Sequence, residues 1–248
     1  MFISVITVCF NSEATIGQCI ESVRNQKFQD FEHIIIDGGS SDRTIEILNE
    51  QMHSKMRVVS EPDEGIYDAM NKGIRIAEGC VVHFLNSDDF YANDGILLEV
   101  YNAFSDGVNI VIGNVDYGSE AKPNVWRVSE PNLLKISLGW HPPHPSFFCT
   151  RSCFKEYGLF DETISISADF ELMMRFIKKN INQTTCLNTT TTYMSPGGVS
   201  STLKSTFIGN WNVLKAAYKL RLSIFLPLYL FFRLTPKAKR KFRSLVRF

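Results

Sequence analysis

The first 90 residues alternate between short apolar runs and stretches with apolar residues at helical spacing. Runs of this length predict buried strands, and the stretches between them predict amphipathic helices. Regular alternation of the two is typical of a parallel sheet with helices on its faces. The predicted strands are Phe2–Val8, Phe31–Ile36, Arg57–Ser60 and a fourth from Val81, and the predicted helices are Ala14–Gln26, one with a stripe of Ile45, Leu48 and Met52, and Ile66–Ala77.

After residue 91 the pattern predicts a strand over Asn109–Tyr117 and four further helices. The sequence therefore indicates an α/β protein with a single, mostly parallel sheet flanked by helices and followed by a helical, basic tail. The four helices are predicted over Asp94–Phe104, Pro131–Leu138, Ser167 to Lys179, and the residues after Ser205, where Phe207, Trp211, Leu214, Tyr218 and Leu222 are spaced helically.

The stretch Val81–Tyr91 is the most informative in the chain, because its apolar run ends in Asn86-Ser87-Asp88-Asp89. In open α/β sheets, ligands bind beyond the carboxyl ends of the strands. Adjacent carboxylates repel each other unless a cation or a proton relieves them, and Mg²⁺ commonly binds one or two carboxylates together with substrate phosphates. The same four residues are also ordinary turn formers, so local composition leaves both a metal site and a turn open.

Two further aspartates follow or begin predicted elements. Asp37 ends the second predicted strand, so in a parallel sheet it lies on the same edge as Asp88. Asp169 lies in the first turn of a predicted helix. An acidic residue there stabilises the helix through its dipole, so the position alone does not indicate a function. The chain has neither the GxGxxG fingerprint of dinucleotide-binding folds nor the GxxxxGK[ST] phosphate loop. These features favour a cleft for a sugar, a nucleotide or a metal.

Composition and charge narrow the class of protein. With 44% hydrophobic and 21% charged residues the chain is globular in type, and six cysteines without a CxxC pair predict reduced thiols in a cytoplasmic protein. No secretory signal is expected, because Met1 leads directly into a strand-like run. All 26 acidic residues lie at or before Glu171, and 14 of the 26 Lys and Arg residues follow it. Such segregation predicts an anionic partner for the C-terminal part.

The C-terminal tail favours a membrane surface over nucleic acid as that partner. Ile224–Leu234 is strongly apolar but about half the length that spans a bilayer, and the residues after it mix Lys and Arg with aromatic and aliphatic side chains. This mixture is typical of a helix that lies on an anionic membrane surface, and nucleic-acid binding does not require the apolar block. The alternative is a pair of terminal helices packed against the domain.

Six short segments follow one another along the chain, namely Val5–Asn11, Asp37–Asp42, Asn71-Lys72-Gly73 with Ala77 and Gly79, Leu85–Asp89, Gly158–Glu162 and Ala168–Leu172. In this order they resemble family 2 glycosyltransferases of the GT-A fold, of the kind that act in bacterial surface-polysaccharide synthesis. The resemblance covers about residues 2–200. It implies a GT-A domain over 1–203, with a nucleotide-sugar half up to about residue 90 and an acceptor half over 91–203. The composition of the C-terminal part predicts a membrane-associating tail over 204–248.

The resemblance implies an inverting, metal-dependent enzyme that moves a sugar from a nucleotide diphosphate, with uridine preferred, to a hydroxyl of a lipid-linked glycan. It implies Asp169 as general base, Asp88 as the residue that holds Mn²⁺ or Mg²⁺, and Asp37 as the residue that recognises the base. The enzyme is expected at the inner face of the cell membrane. Donor contacts are expected from Phe10, Asn11, Asp68, Asn86 and Ser87, and contacts to acceptor or diphosphate from His144 and Ser200.

Two residues depart from the family pattern. Asn86 stands at the first position of the DxD motif and carries no charge, so a contact to ribose is expected there. Met70 stands where many members carry an arginine, which leaves the cationic partner of the diphosphate unassigned.

An alternative hypothesis for the function is a catalytically silent nucleotide-sugar-binding protein. A nucleotidyltransferase is a third, and the phosphate loop that it requires is absent near Val8.

Overall fold

The structure is a computed structural model that describes residues 1–104, 107–118, 123–195, 203–223 and 229. Within these ranges it contains nine strands and eight α-helices. The strands are β1 (Ile3–Cys9), β2 (Phe31–Asp37), β3 (Met56–Ser60), β4 (Val81–Phe84), β5 (Asp89–Tyr91), β6 (Ile110–Asp116), β7 (Val125–Trp126), β8 (Phe147–Thr150) and β9 (Thr184–Met194). The helices are α1 (Ile16–Arg24), α2 (Thr44–Glu50), α3 (Ile66–Ile76), α4 (Ile96–Ala103), α5 (Leu133–Ser137), α6 (Arg151–Tyr157), α7 (Ala168–Lys179) and α8 (Leu203–Lys219).

All nine strands form one sheet, whose first half is parallel. The order is β3-β2-β1-β4-β8-β6-β9-β5, with β7 paired to β6. Strands β3, β2, β1 and β4 run in the same direction, and Ile6 of β1 lies between Ile34 of β2 and Phe84 of β4. Every residue of β1 and β2 is buried, as expected for parallel strands covered on both faces. The predicted α/β architecture is confirmed.

The second half of the sheet is mixed, and it divides the stretch Val81–Tyr91 between two strands. Strand β8 runs antiparallel between β4 and β6, β9 is parallel to β6, and β5 pairs antiparallel with β9. Strand β4 ends at Phe84, and Asp89 begins β5 because it pairs with Met194 rather than continuing β4. Residues 86–88 therefore lie in a connection at the carboxyl end of β4.

Helix α3 packs unusually close to the sheet, and this closeness positions its N-terminal end. A Cβ atom at Gly73 would lie 2.5 Å from Cγ2 of Ile6, so only glycine permits this approach. The first turn of α3, with Tyr67 and Asp68, is thereby held at the same edge of the sheet as the ends of β1, β2 and β4.

The start of the predicted tail packs against the domain. Val213, Ala216, Ala217 and Leu222 are buried in the main hydrophobic core. The opposite face of α8 carries exposed aromatic residues, namely Phe207, Trp211 and Tyr218. In the described residues no helix combines the length and apolar character needed to cross a membrane. Apart from Tyr229, the predicted membrane-binding residues 224–248 lie outside the described residues.

Candidate active site

The loops after β1 and β2 form one side of the candidate site. The parallel register places Cys9 opposite Asp37, so the residues that follow these two strands share one edge of the sheet. Asn11 joins the loops, because its Oδ1 accepts the Ser41 N–H over 2.9 Å and its own N–H donates to Ser40 Oγ over 2.8 Å. The ring of Phe10 is 62% exposed at this edge. An exposed aromatic ring beside two hydrogen-bonded loops is a suitable stacking surface for a base.

Asp37 lies where the sequence predicts, at the end of β2, but its carboxylate points at its own loop. The side chain is buried and accepts hydrogen bonds from the N–H groups of Gly39 and Ser40 and from the hydroxyls of Ser40 and Ser60. Burial alone raises the pKa of this carboxyl, yet these donors hold the pKa of Asp37 below its usual range. Asp37 therefore shapes the loop that borders the site.

The Asn86–Asp89 segment contains two carboxyl groups whose charged forms are destabilised. Burial raises the pKa of Asp88, and burial together with the neighbouring Asp88 raises the pKa of Asp89 to about 8. Asn86 Nδ2 donates to Asp89 Oδ2 over 3.0 Å. Among the described residues, Asn86 Oδ1 and Asp89 Oδ1 are buried without a hydrogen-bond partner. Buried oxygen atoms without donors are favourable ligands for a cation or for a donor group of a ligand.

The unpartnered Asp89 oxygen beside the Asp88 carboxylate would suit a divalent cation that shares its ligands with the phosphates of a substrate. Within the described ranges, no group of three or more His, Cys, Asp or Glu residues is arranged to hold a metal ion. Mg²⁺ commonly binds through one or two carboxylates plus substrate phosphates, and this mode needs no larger protein cluster. Asp88 is the more exposed of the two aspartates, and its backbone carbonyl accepts a hydrogen bond from Ser195 over 2.6 Å. Asp88 is thus held at the open side of the segment.

Two other predicted donor-site residues, Ser87 and Asp68, have partners within the protein, and Met70, where many family members carry an arginine, lies away from them. Ser87 Oγ lies 3.0 Å from Ser12 Oγ and joins the Asp88 segment to the loop after β1. The Asp68 carboxylate accepts the Glu64 N–H and forms an ion pair with Lys72, and these contacts outweigh burial and lower the pKa of Asp68. Met70 is buried in the core, so it does not replace the family's arginine in the cleft.

Asp169 is brought to this edge of the sheet by a contact with Tyr67. The Tyr67 hydroxyl donates to Asp169 Oδ1 over 3.3 Å and accepts the Ala168 N–H over 3.1 Å. The residue before α7, Ser167, has a left-handed backbone with φ +72°. One phenol therefore fixes both the start of α7 and its aspartate against the first turn of α3.

An aromatic cluster of Tyr67, Phe84, His144 and Phe160 lies between Asp169 and the end of β4. His144 stacks on Phe84 at 5.7 Å between ring centroids, and Phe160 stacks on Tyr67 at 5.5 Å. Burial lowers the pKa of His144, although the nearby Asp169 opposes this, so the imidazole is neutral at neutral pH. The cluster links the strand that leads to Asp88 with Asp169. Ser200 lies outside the described residues.

Asn71 joins the donor half to the acceptor half through contacts that the sequence does not reveal. Its Nδ2 donates to the Phe160 carbonyl over 3.1 Å, and its Oδ1 accepts the Phe160 N–H over 3.0 Å. Nδ2 also donates to Glu162 over 2.6 Å. The two partners are about 90 positions away in sequence, so only the fold brings them together. This clamp holds the Gly158–Glu162 turn beside the aromatic cluster.

The sequence profile described as Glycosyl transferase family 2 matches residues 4–179. The chain belongs to this family. An uncharacterized glycosyltransferase of Mycobacterium tuberculosis (strain CDC 1551 / Oshkosh) is 34% identical over 178 residues, which cover 70% of this chain and 68% of the relative. A PGL/p-HBAD biosynthesis glycosyltransferase of Mycobacterium bovis (strain BCG / Pasteur 1173P2) is 26% identical over 206 residues, which cover 81% of this chain and 79% of the relative.

Solved structures confirm the GT-A type of fold for this glycosyltransferase. Residues 1–349 of S. aureus TarS in complex with UDP-GlcNAc give a TM-score of 0.70 at 19% identity, over 89% of this chain and 65% of that one. The mannosyltransferase PcManGT of Pyrobaculum calidifontis, with GDP-Man and Mn²⁺, gives 0.66 at 13% identity, over 99% and 75%. The chain spans 39% of a longer TarS chain. At these identities the likeness concerns the fold.

Proposed function

We propose that this glycosyltransferase is an inverting, metal-dependent enzyme that transfers a sugar from a UDP-sugar to a hydroxyl of a lipid-linked glycan in the synthesis of an O-antigen, capsule or exopolysaccharide. The observation that carries the proposal is the contact between Tyr67 and Asp169. This contact brings a carboxylate from the acceptor half to the edge of the sheet where Asn86–Asp89 follow β4. One carboxylate to hold a metal and a separate one to accept a proton are the minimum for this reaction.

Each carboxylate has a distinct task in the proposed mechanism. Asp88 would hold Mn²⁺ or Mg²⁺, and a divalent ion there would stabilise negative charge on the leaving diphosphate. Asp169 accepts the proton of the acceptor hydroxyl as its oxygen attacks the anomeric carbon. The new C–O bond forms on the face opposite the breaking bond to the diphosphate, so the anomeric configuration inverts. This displacement requires no protein nucleophile.

The donor subsite in this proposal extends along the loops after β1, β2 and β4. Phe10 stacks on the base, Asn11 and Asp37 hold the loops beside it, and Asn86 contacts the ribose. Ser87 and Asp68 border the subsite. The UDP-GlcNAc in the TarS complex supports a uridine donor, and the GDP-Man and Mn²⁺ of PcManGT support a divalent ion.

The acceptor side is assigned from chemistry and from the relatives. In this proposal His144 and Ser200 contact the acceptor or the diphosphate, and the electrostatic interaction of His144 with Asp169 supports the first assignment. A chondroitin synthase of Escherichia coli, 27% identical over 193 residues that cover 73% of this chain and 28% of that protein, supports a glycan acceptor. The exposed aromatic face of α8 and the basic residues after it support peripheral attachment at the inner face of the cell membrane.

The hypothesis of a silent binding protein is disfavoured because both carboxylates that the proposed reaction needs are present. Asp88 lies in the connection that follows β4, and Asp169 contacts Tyr67, which supports a role for both residues in transfer. Turnover separates the two hypotheses directly. A binding protein retains the nucleotide sugar, whereas an enzyme releases UDP when an acceptor is present.

Calorimetric binding of a panel of nucleotide sugars, with Mn²⁺ and with EDTA, tests the proposal. We expect UDP-sugars to bind only with the divalent ion, and Asp88→Asn to weaken this binding at least about tenfold. Asp94→Asn is the matched control, because Asp94 is exposed and paired with Lys27. Equal binding in Mn²⁺ and EDTA would contradict the metal assignment. Failure of every nucleotide sugar to bind would contradict the proposed function.

A further inference from the structure

Asp63, in the loop between β3 and α3, lies directly over the backbone of Gly38. A Cβ atom at Gly38 would overlap Asp63 Oδ2 and lie 3.1 Å from Asp63 Cγ. Gly38 therefore leaves a space that the Asp63 carboxyl group fills. Asp63 is half-buried, and its Oδ1 accepts the Gly65 N–H over 2.9 Å, which fixes the orientation of the group.

Asp37 has little capacity left for a ligand, although it ends the neighbouring strand. Its Oδ2 already accepts three hydrogen bonds, from the N–H groups of Gly39 and Ser40 and from the Ser60 hydroxyl, and its Oδ1 accepts the Ser40 hydroxyl. The whole residue is buried beneath the loop. By contrast, Asp63 Oδ2 has no hydrogen bond in the described part of the chain. Asp63 therefore presents an available acceptor next to Gly38, where Asp37 does not.

Phe10 and Asp63 together have the chemistry of a nucleoside subsite. Cδ2 of the exposed Phe10 ring lies 3.5 Å from the same Cβ position at Gly38, so the ring and the carboxylate flank one point. A base stacked on the ring would present its edge to the carboxylate. An ionised carboxylate only accepts hydrogen bonds, so it favours an edge with an N–H and disfavours one with a bare nitrogen. Uracil presents N3–H, and neutral cytosine presents N3 as an acceptor.

The order of the strands agrees with this placement. Gly38 directly follows β2, and Asp63 lies in the loop that follows β3. Phe10 follows β1, which lies next to β2, and Asp88 follows β4 on the other side of β1. A nucleotide lying along this edge has its base near β2 and β3 and its diphosphate near β4. The two acidic positions are thus separated along the donor, and they serve different parts of it.

We propose that Asp63 accepts the hydrogen bond from N3–H of a uracil base stacked on Phe10, and that Gly38 is required to admit the Asp63 carboxylate. The inference rests on the proposed function, since it assumes a UDP-sugar donor. It assigns recognition of the base to Asp63 and leaves Asp37 the task of holding the loop.

A cycle that combines protein variants with altered nucleotides tests the assignment. UDP, N3-methyl-UDP and CDP are titrated by calorimetry, in Mn²⁺, into the full chain and into Asp63→Ala. We expect Asp63→Ala to weaken UDP binding about tenfold to a hundredfold and to remove most of the penalty of the N3-methyl group. Glu64→Gln, an exposed acidic residue of the same loop, is the matched control and should leave all three affinities unchanged.

Two further variants keep the test independent of a folding defect. Asp63→Asn can still accept the Gly65 N–H and directs an amide NH₂ group to the base, so we expect the ratio of UDP to CDP affinity to fall at least about tenfold. Gly38→Ala displaces the Asp63 carboxylate, so it should weaken UDP binding about as much as Asp63→Ala does. The double variant with both substitutions should bind UDP little more weakly than either single variant.

The outcomes separate this inference from the proposed function. Suppose that wild type binds UDP, and that N3-methyl-UDP still binds more weakly than UDP to Asp63→Ala but equally well to Asp37→Asn. The assignment to Asp63 is then wrong, and the proposed function stands. If wild type binds UDP and CDP equally, base recognition by a carboxylate is wrong. If wild type binds no UDP, both proposals are contradicted.

Discussion

The phenol of Tyr67 and the carboxylate of Asp169, 102 positions apart in sequence, are joined by a hydrogen bond of 3.3 Å. Burial raises the pKa of Tyr67, so the hydroxyl keeps its proton and remains a donor. The same oxygen accepts the N–H of Ala168, which fixes the first residue of α7. Tyr67 is therefore a positioning residue for the proposed base.

Removal of this hydroxyl should impair the chemical step and leave donor binding intact. In Tyr67→Phe we expect kcat to fall about tenfold, because Asp169 loses the hydrogen bond that orients it, while the dissociation constant of the UDP-sugar stays unchanged. Steady-state kinetics and calorimetry measure the two quantities. Tyr101→Phe is the matched control, because Tyr101 is an exposed residue of α4. A parallel loss of donor affinity in Tyr67→Phe would contradict the positioning role.

The Asn71 clamp should be one of the larger single contributions to stability. In Asn71→Ala the buried N–H and carbonyl of Phe160 lose their partners, and we expect the free energy of unfolding to fall by about 2–4 kcal/mol. Urea denaturation at neutral pH measures it. Asn102→Ala, on an exposed face of α4, should change stability by no more than about 0.5 kcal/mol. Equal stabilities of the two variants would show that the clamp is unimportant.

Two buried histidines make stability fall in acid. Burial lowers the pKa of both His33 and His83 to about 3. Between about pH 6.5 and pH 3, each of these histidines is therefore protonated in the unfolded chain and neutral in the folded chain. Stability is then fully present above pH 6.5 and declines, as pH falls, by about 1.4 kcal/mol per pH unit for each histidine. Replacing one of them isolates its share.

We therefore expect His33→Asn to have a shallower loss of stability between pH 6.5 and 4 than the wild type, by about 1.4 kcal/mol per pH unit. Urea denaturation at several pH values gives the two slopes, and groups common to both proteins cancel in the difference. His33 Nε2 lies 3.0 Å from Thr7 Oγ1, so the variant is also expected to be less stable at pH 7. Identical slopes would contradict a neutral, buried His33.

The hydrophobic pattern of the sequence was sufficient to predict the strands in the parallel half of the sheet. Runs such as Ile3–Cys9 and Phe31–Asp37 are apolar throughout and bounded by turn residues, so their burial on both faces follows from sequence. The acidic segment at the end of β4 was found for the same reason. Strand β9 was missed because its eleven residues, TTCLNTTTTYM, are mostly polar and half-buried and show no regular alternation.

The features that the sequence did not predict depend on contacts between residues that are far apart in the chain. The sequence predicts Asp37 at the edge of the sheet, yet its carboxylate accepts three hydrogen bonds from its own loop and one from Ser60 at the end of β3. The Tyr67–Asp169 and Asn71–Phe160 contacts join residues about 90 to 100 positions apart. The helix after Ser205 was predicted from its spacing, whereas its packing through Val213 and Ala217 required the fold.

The most direct test of the proposed mechanism compares transfer and donor binding in Asp169→Asn. The substitution keeps the size and polarity of the side chain but removes the base, so we expect transfer of labelled sugar to lipid-linked acceptors to fall about 10²- to 10⁴-fold. The dissociation constant of the donor in Mn²⁺ should be unchanged, as should both quantities in Asp94→Asn. Near-normal transfer by Asp169→Asn would contradict the assignment of the base.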